Sequence, residues 1–160
     1  MFITVHVATA VVISETISSR IIGFVAGVIS HLFLDFFPHG DKGLKEWVEK
    51  TPKQKTLKIL FAALTDVLFV WVFAIFAMKR LPISNPEVAY WTAVGSAVPD
   101  LIWGFYIITG KRIKPLGAIS KLHDKIQNVW KDNLSLKSGI AIQIPLLLLL
   151  IWAQINIPKL

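Results

Sequence analysis

His31 and Asp35 stand four residues apart in GFVAGVISHLFLDFFPHGD, residues 23–41. At helical pitch that spacing stacks an imidazole over a carboxylate on one face. Both side chains are ligands for a borderline divalent ion such as Zn2+, and both move protons. Gly23 and Gly27 continue the same face in steps of four, which lets a neighbouring helix approach closely. Pro38 ends the helix, and His39 and Asp41 follow at its mouth. Ionisable groups in so apolar a helix need a partner or a metal.

Further stretches have to be brought to that face. His6 lies in the first apolar segment, MFITVHVATAVVIS. Asp66 interrupts the apolar centre of KTLKILFAALTDVLFVWVF, and Asp100 follows Pro99 with Ser96 and Gly104 four residues either side. Pro99 removes one backbone donor and leaves the carbonyl of Gly95 short of a partner. Leu116, Ile119, His123, Ile126 and Trp130 fall at spacings of three and four. They make one apolar helix face with a histidine at its centre.

The chain has 160 residues, 54% of them apolar, a mean hydropathy of +0.62 and a formal net charge of +7. The apolar residues come in long runs, which predicts an all-α fold: an integral membrane helical bundle of five to six helices in a single domain, 1–160. The expected helices are 2–14, 20–37, a third from Thr51-Pro52-Lys53-Gln54 to about Met78, 86–108, an amphipathic one near 115–131, and 138–157. The stretch 43–50, GLKEWVEK, reads as a short interfacial helix. No cysteine is present, so any metal must take His, Asp, Glu or backbone oxygen. The opening residues lack the basic start of a signal peptide.

Lysines concentrate in the 38–56 and 109–137 connections. Two spans separate these connections, so they share a side, and the positive-inside rule makes that side cytoplasmic. From the helix ends there, His31 is about 10 Å deep, Asp35 about 5 Å, and Asp66 and Asp100 about 13 Å. His6 lies near the start of its helix, and His39 and His123 belong to the cytoplasmic surface. The expected metal site is His31, Asp35, Asp66, Asp100 and His123, with His39 and His6 as outlying members. It would take one or two divalent ions, Zn2+ first among them, with Asp66 and Asp100 as proton acceptors. The chemistry that follows is metal-assisted hydrolysis. The lysines would draw an anionic lipid or phosphoester to that face. They read as orientation signals rather than a nucleic-acid surface, and the expected location is a cytoplasmic membrane.

The stretch Gly27-Val28-Ile29-Ser30-His31-Leu32-Phe33-Leu34-Asp35, closed by Pro38-His39-Gly40, resembles the G-x-x-S-H-x-x-x-D motif of the membrane-bound metal-dependent hydrolases. That group has similarities to zinc-dependent phospholipase C. His6 and the Pro99-Asp100 pair are similar to that family's amino-terminal histidine and its "PD" segment. The resemblance implies a helical membrane protein with a His/Asp metal site, and a hydrolase acting on phosphoesters. An H-R-G-x-T-H-S-type segment, which many of these proteins carry, has no counterpart here, and His123 is placed to stand in for its ligand. Two other classes fit the same residues: an ion or proton transporter, and a non-catalytic membrane protein with a structural metal. For Asp66 the plainer use is an ion pair with Lys58.

Overall fold

Helix starts and stops fall close to the punctuation in the sequence. The computed structural model describes residues 1–40, 46–47, 50–109, 113–127, 129 and 134–157. Among them the chain forms α1 (Ile3–Ser14), α2 (Arg20–Asp35), a 3-10 turn (Pro52–Gln54) leading into α3 (Lys55–Arg80), α4 (Pro86–Ile108), α5 (Lys114–Gln127) and α6 (Leu136–Asn156). No strand occurs among the described residues, so the fold is all-α. Ser135 caps α6, its Oγ accepting from the Ser138 amide at 3.2 Å. Asn85 does the same for α4, accepting from Val88 N at 3.2 Å. Pro at the first position of α4 loses nothing, because that amide has no helical acceptor.

α2 ends at Asp35, two residues before the expected boundary. A residue preceding proline is pushed out of the helical region. The amides of Phe36 and Phe37 accordingly reach back only three residues, to Phe33 and Leu34. Of the proposed interfacial helix at 43–50, Glu46 and Trp47 are helical and most of the rest lies outside the described residues. Trp130 and Asp41 also lie outside them.

α1 is the central element. Eight of its 12 residues are buried, and it touches α2, α3, α4 and α6. Val7, Ala8 and Val11 pack against Phe73 and Ala77 of α3 and against Leu81, with Leu147, Leu150 and Ile151 of α6 alongside. α2 and α4 meet backbone to backbone. A Cβ on Gly27 would collide with the Thr92 carbonyl, and one on Gly95 with the Phe24 carbonyl. The glycine stripe expected on α2 therefore has a second glycine facing it from α4.

α3 and α6 are long and apolar enough to cross a membrane. α1 is about 18 Å long and cannot span about 30 Å of hydrocarbon by itself. Among the described residues the six helices match the expected five to six, and length and composition mark two of them as possible spans. Most of the surface of α3 and α6 is left uncovered by the bundle. Leu64 and Trp71 on α3 and Trp152 on α6 are 68%, 64% and 62% exposed. The outer face of α2 is apolar too, with Ile21, Val25, Ile29 and Phe33 exposed. Water-soluble monomers rarely leave so much contiguous apolar surface open.

Candidate metal centre

Four helices each send one or two side chains to a single point at one end of the bundle. His31 and Asp35 come from α2, Asp100 from α4, His123 from α5 and His6 from α1. His31, Asp35, Asp100 and His123 each present one ligand atom, and these four atoms lie within 4.8 Å of one another. The individual separations are more telling. Asp35 Oδ2 is 3.1 Å from His31 Nε2 and 3.1 Å from His123 Nε2. The two Nε2 atoms are 3.2 Å apart. Asp100 Oδ1 is 3.2 Å from His123 Nε2 and 3.7 Å from His31 Nε2. A tetrahedral ion with bonds of about 2.0–2.1 Å has its ligand atoms about 3.3 Å apart. His31, Asp35 and His123 have that spacing, and together with Asp100 they could hold a metal ion.

The supporting contacts set the tautomers. His31 Nδ1 lies 2.6 Å from the carbonyl of Ser96. A carbonyl only accepts, so Nδ1 carries the proton and Nε2 turns its lone pair to the cluster. His39 is oriented in the same way by the carbonyl of Phe37. A ring N–H given to a backbone carbonyl is the usual support of a metal-binding histidine. The carbonyl used on α4 is that of Ser96, one residue beyond the Gly95 carbonyl that Pro99 leaves without its helical donor. Gln127, one turn after His123, donates to Asp35 Oδ2 at 3.1 Å.

His6 is wholly buried and stacks on His31, with ring centroids 4.0 Å apart. Its Nε2 is 3.2 Å from Asp35 Oδ1, yet neither ring nitrogen has an aligned hydrogen-bond partner. His39 Nε2 is 3.8 Å from the same oxygen. Both His39 and His123 are 1% exposed, so neither belongs to the surface as their positions in the sequence suggested. The 38–40 segment folds back over the end of the bundle. Gly40 adopts a φ of +94°, which favours glycine. Its Cα and the His39 carbonyl rest against Gly139 of α6, where a Cβ would not fit. Gln143 of α6 donates to the His39 carbonyl at 2.8 Å and accepts from Phe2 N at 2.8 Å.

Asp66 has another neighbourhood. Its Oδ2 accepts from Ile3 N at 2.9 Å and its Oδ1 from Thr4 Oγ1 at 3.3 Å. It thus holds the first turn of α1, the helix that carries His6, and it is not one of the four converging groups. Lys58 does not meet it: the ammonium donates to the Trp47 carbonyl and to Thr51 Oγ1.

Gln127, Gln143 and the Ser96 carbonyl were not singled out from the sequence. Gln127 had a signal in its spacing, four residues after His123. Gln143 had one in being a lone amide in an apolar helix. The Ser96 carbonyl had none.

On α5, burial works against the charged form of His123. The carboxylates of Asp100 and Asp35 outweigh it and push the imidazole up to about 9. That direction favours the protonated ring of His123 when no metal is bound.

Comparison with family models, with curated proteins and with solved structures finds no match for the chain.

Proposed function

We propose that the chain is a membrane-embedded metal-dependent hydrolase, cleaving a phosphoester of a lipid or a membrane-associated substrate at the cytoplasmic face. The observation that supports this reading is the 3.1–3.2 Å spacing of His31 Nε2, Asp35 Oδ2 and His123 Nε2, as for three ligands of one small divalent ion, with Asp100 Oδ1 beside them. The exposed apolar faces of α3 and α6 support the membrane. Lys121 and Lys125, exposed on the helix that carries His123, support an anionic substrate.

The four groups are not equivalent. The side chains of His31, Asp35 and His123 are at most 1% exposed, whereas that of Asp100 is 18% exposed and stands furthest from His31. Two imidazoles and a carboxylate are a ligand set that leaves a position open. An ion bound there supplies an acidified water and a Lewis acid. Asp100 then stands on the open side as the group that takes the proton. Gln127 holds the Asp35 carboxylate in place. Ser96 fixes the tautomer of His31.

A structural ion is the second reading, favoured by the ability of all four groups to close around one centre. Metal analysis of purified protein beside His31→Ala and Asp35→Ala, with hydrolysis of a chromogenic phosphodiester on the same samples, separates the outcomes. The expected result is bound metal and hydrolysis in the parent and neither in the variants. Metal without hydrolysis of any phosphoester supports the structural ion. No metal in the parent removes both.

A further inference from the structure

One end of α1 carries His6; the other ends on Glu15, nine residues and about 13 Å further along. Glu15 is buried, at 7% exposure. Its Oε1 accepts from the Gln154 side-chain amide at 3.0 Å. The Ser84 amide is shared between Oε1 at 3.2 Å and Oε2 at 3.3 Å. Both donors are neutral. Among the described residues no basic side chain pairs with this carboxylate: Arg20 pairs with Glu87 instead, and Lys79 and Arg80 are exposed in the last turn of α3. A buried carboxylate without an opposite charge is costly.

Gln154 is the independent observation. It is 2% exposed, and its amide nitrogen donates to Glu15 Oε1 and to the Pro82 carbonyl at 2.7 Å. Those two acceptors fix which way the amide points. Its oxygen is buried with no donor. That oxygen is held next to the nitrogen that touches Glu15, within reach of a donor seated on the carboxylate. A cleft of about 370 Å³ opens here, and six of its seven lining residues are polar, Ser14, Glu15, Ser18 and Ser84 among them. Ser14 gives its hydroxyl proton to the Val11 carbonyl at 2.6 Å, so it too faces the cleft as an acceptor.

We propose that this cleft binds a primary ammonium group, borne by a small free amine or by an ethanolamine-type lipid headgroup. The site lies at the end of the bundle away from the His/Asp cluster and does not rest on the metal. Three N–H donors and one positive charge match the carboxylate, the orphan amide oxygen and a serine hydroxyl. Water could meet the orphan oxygen but brings no charge to Glu15. A quaternary ammonium has no N–H to give, and among the described residues no aromatic ring lines the cleft to hold one. A single carboxylate is too few for Ca2+ or Mg2+.

The test is calorimetric titration of the full chain in detergent, at constant ionic strength, with ethanolamine, glycerophosphoethanolamine and choline. Ethanolamine should bind about tenfold tighter than choline, which carries the charge without the N–H donors. Glu15→Gln keeps an acceptor for Ser84; it should lose about tenfold or more of the ethanolamine affinity and hold as much metal as the parent. Tighter binding of glycerophosphoethanolamine than of ethanolamine assigns a lipid headgroup, and the reverse a free amine; both support the site. Absence of ethanolamine binding in the parent, equal affinity for choline, or undiminished affinity in Glu15→Gln overturns it. Glu15 is then a tie between α1, α6 and the turn before α4. The ratio of ethanolamine to choline affinity is read on the unsubstituted protein, so the test survives a variant that fails to fold.

Discussion

The Nε2 atoms of His31 and His123 face one another across 3.2 Å. Ser96 holds the proton of His31 on Nδ1, so the Nε2 of His31 brings a lone pair to that gap. Two lone pairs cannot share so short a distance, so a proton on one of the two rings or a metal ion between them is required. The same cavity therefore binds one or the other.

pH follows from that competition. His123 is pushed up to about 9 from an ordinary value of 6.5. A raised histidine stabilises the metal-free fold fully below about pH 6.5 and loses that contribution as pH rises through about 9. Metal needs the neutral ring, so its stabilisation runs in the opposite direction. Melting temperatures in chelator should fall between pH 6.5 and 9, while those in excess Zn2+ rise. Calorimetry at pH 7.5 in buffers of different ionisation enthalpy should show about one proton released on binding. Parallel pH profiles with and without metal would place the ion away from His123.

Gly27→Ala is expected to weaken the fold and the site together. The added methyl would strike the Thr92 carbonyl, a backbone atom that cannot turn aside. Separating α2 from α4 costs about 1–3 kcal/mol as overpacking, and it moves His31 away from Ser96 and Asp100. Gly104→Ala is the control on α4, since a methyl added there would meet nothing within 4 Å. It should be neutral or stabilising by up to about 1 kcal/mol through helix propensity. Thermal denaturation and Zn2+ titration of the two variants read the difference.

Helix pitch alone made much of this legible. His31 over Asp35, and the glycine face above them, need no tertiary knowledge. Asp100 beside Pro99 and His123 at the centre of an apolar face were likewise marked by breaking the pattern around them. The burial of His39 was not legible, because it depends on Gly40 turning against Gly139, far along the chain. Depth counted along α3 put Asp66 beside Asp100 but could not say which way its carboxylate turns. That is decided by the unsatisfied amide of Ile3 at the start of α1. Orphan donors at a helix start draw a carboxylate, and no spacing within α3 reveals whose helix start it meets.

Asp66 can be tried directly. Asp66→Asn keeps an oxygen for the Ile3 amide but loses the acceptor for Thr4. As a cap on α1 it should lower stability by about 1 kcal/mol and leave the metal content unchanged. Asp66→Leu should cost more, up to about 3 kcal/mol, because it leaves the partly buried Ile3 amide unpaired. Loss of that metal in Asp66→Asn, at unchanged stability, would make Asp66 a ligand.

Membrane placement yields the last prediction. The chain has no cysteine, so a single introduced thiol reports on one position without background. Lys121 is exposed on α5, at the end of the bundle where the His/Asp cluster lies. Lys79 is exposed in the last turn of α3, which starts near that end at Lys55 and runs about 38 Å away from it. If α3 crosses the bilayer, the two positions are on opposite sides. The positive-inside rule leads one to expect the lysine-rich side, near Lys121, in the cytoplasm. An impermeant maleimide on intact cells should label Lys79→Cys and spare Lys121→Cys, with both labelled after permeabilisation. The reverse pattern would turn the site to the outside. Equal labelling of both in intact cells would mean that α3 does not cross. The apolar surface around Leu64 and Trp71 would then have to be covered by protein instead of lipid.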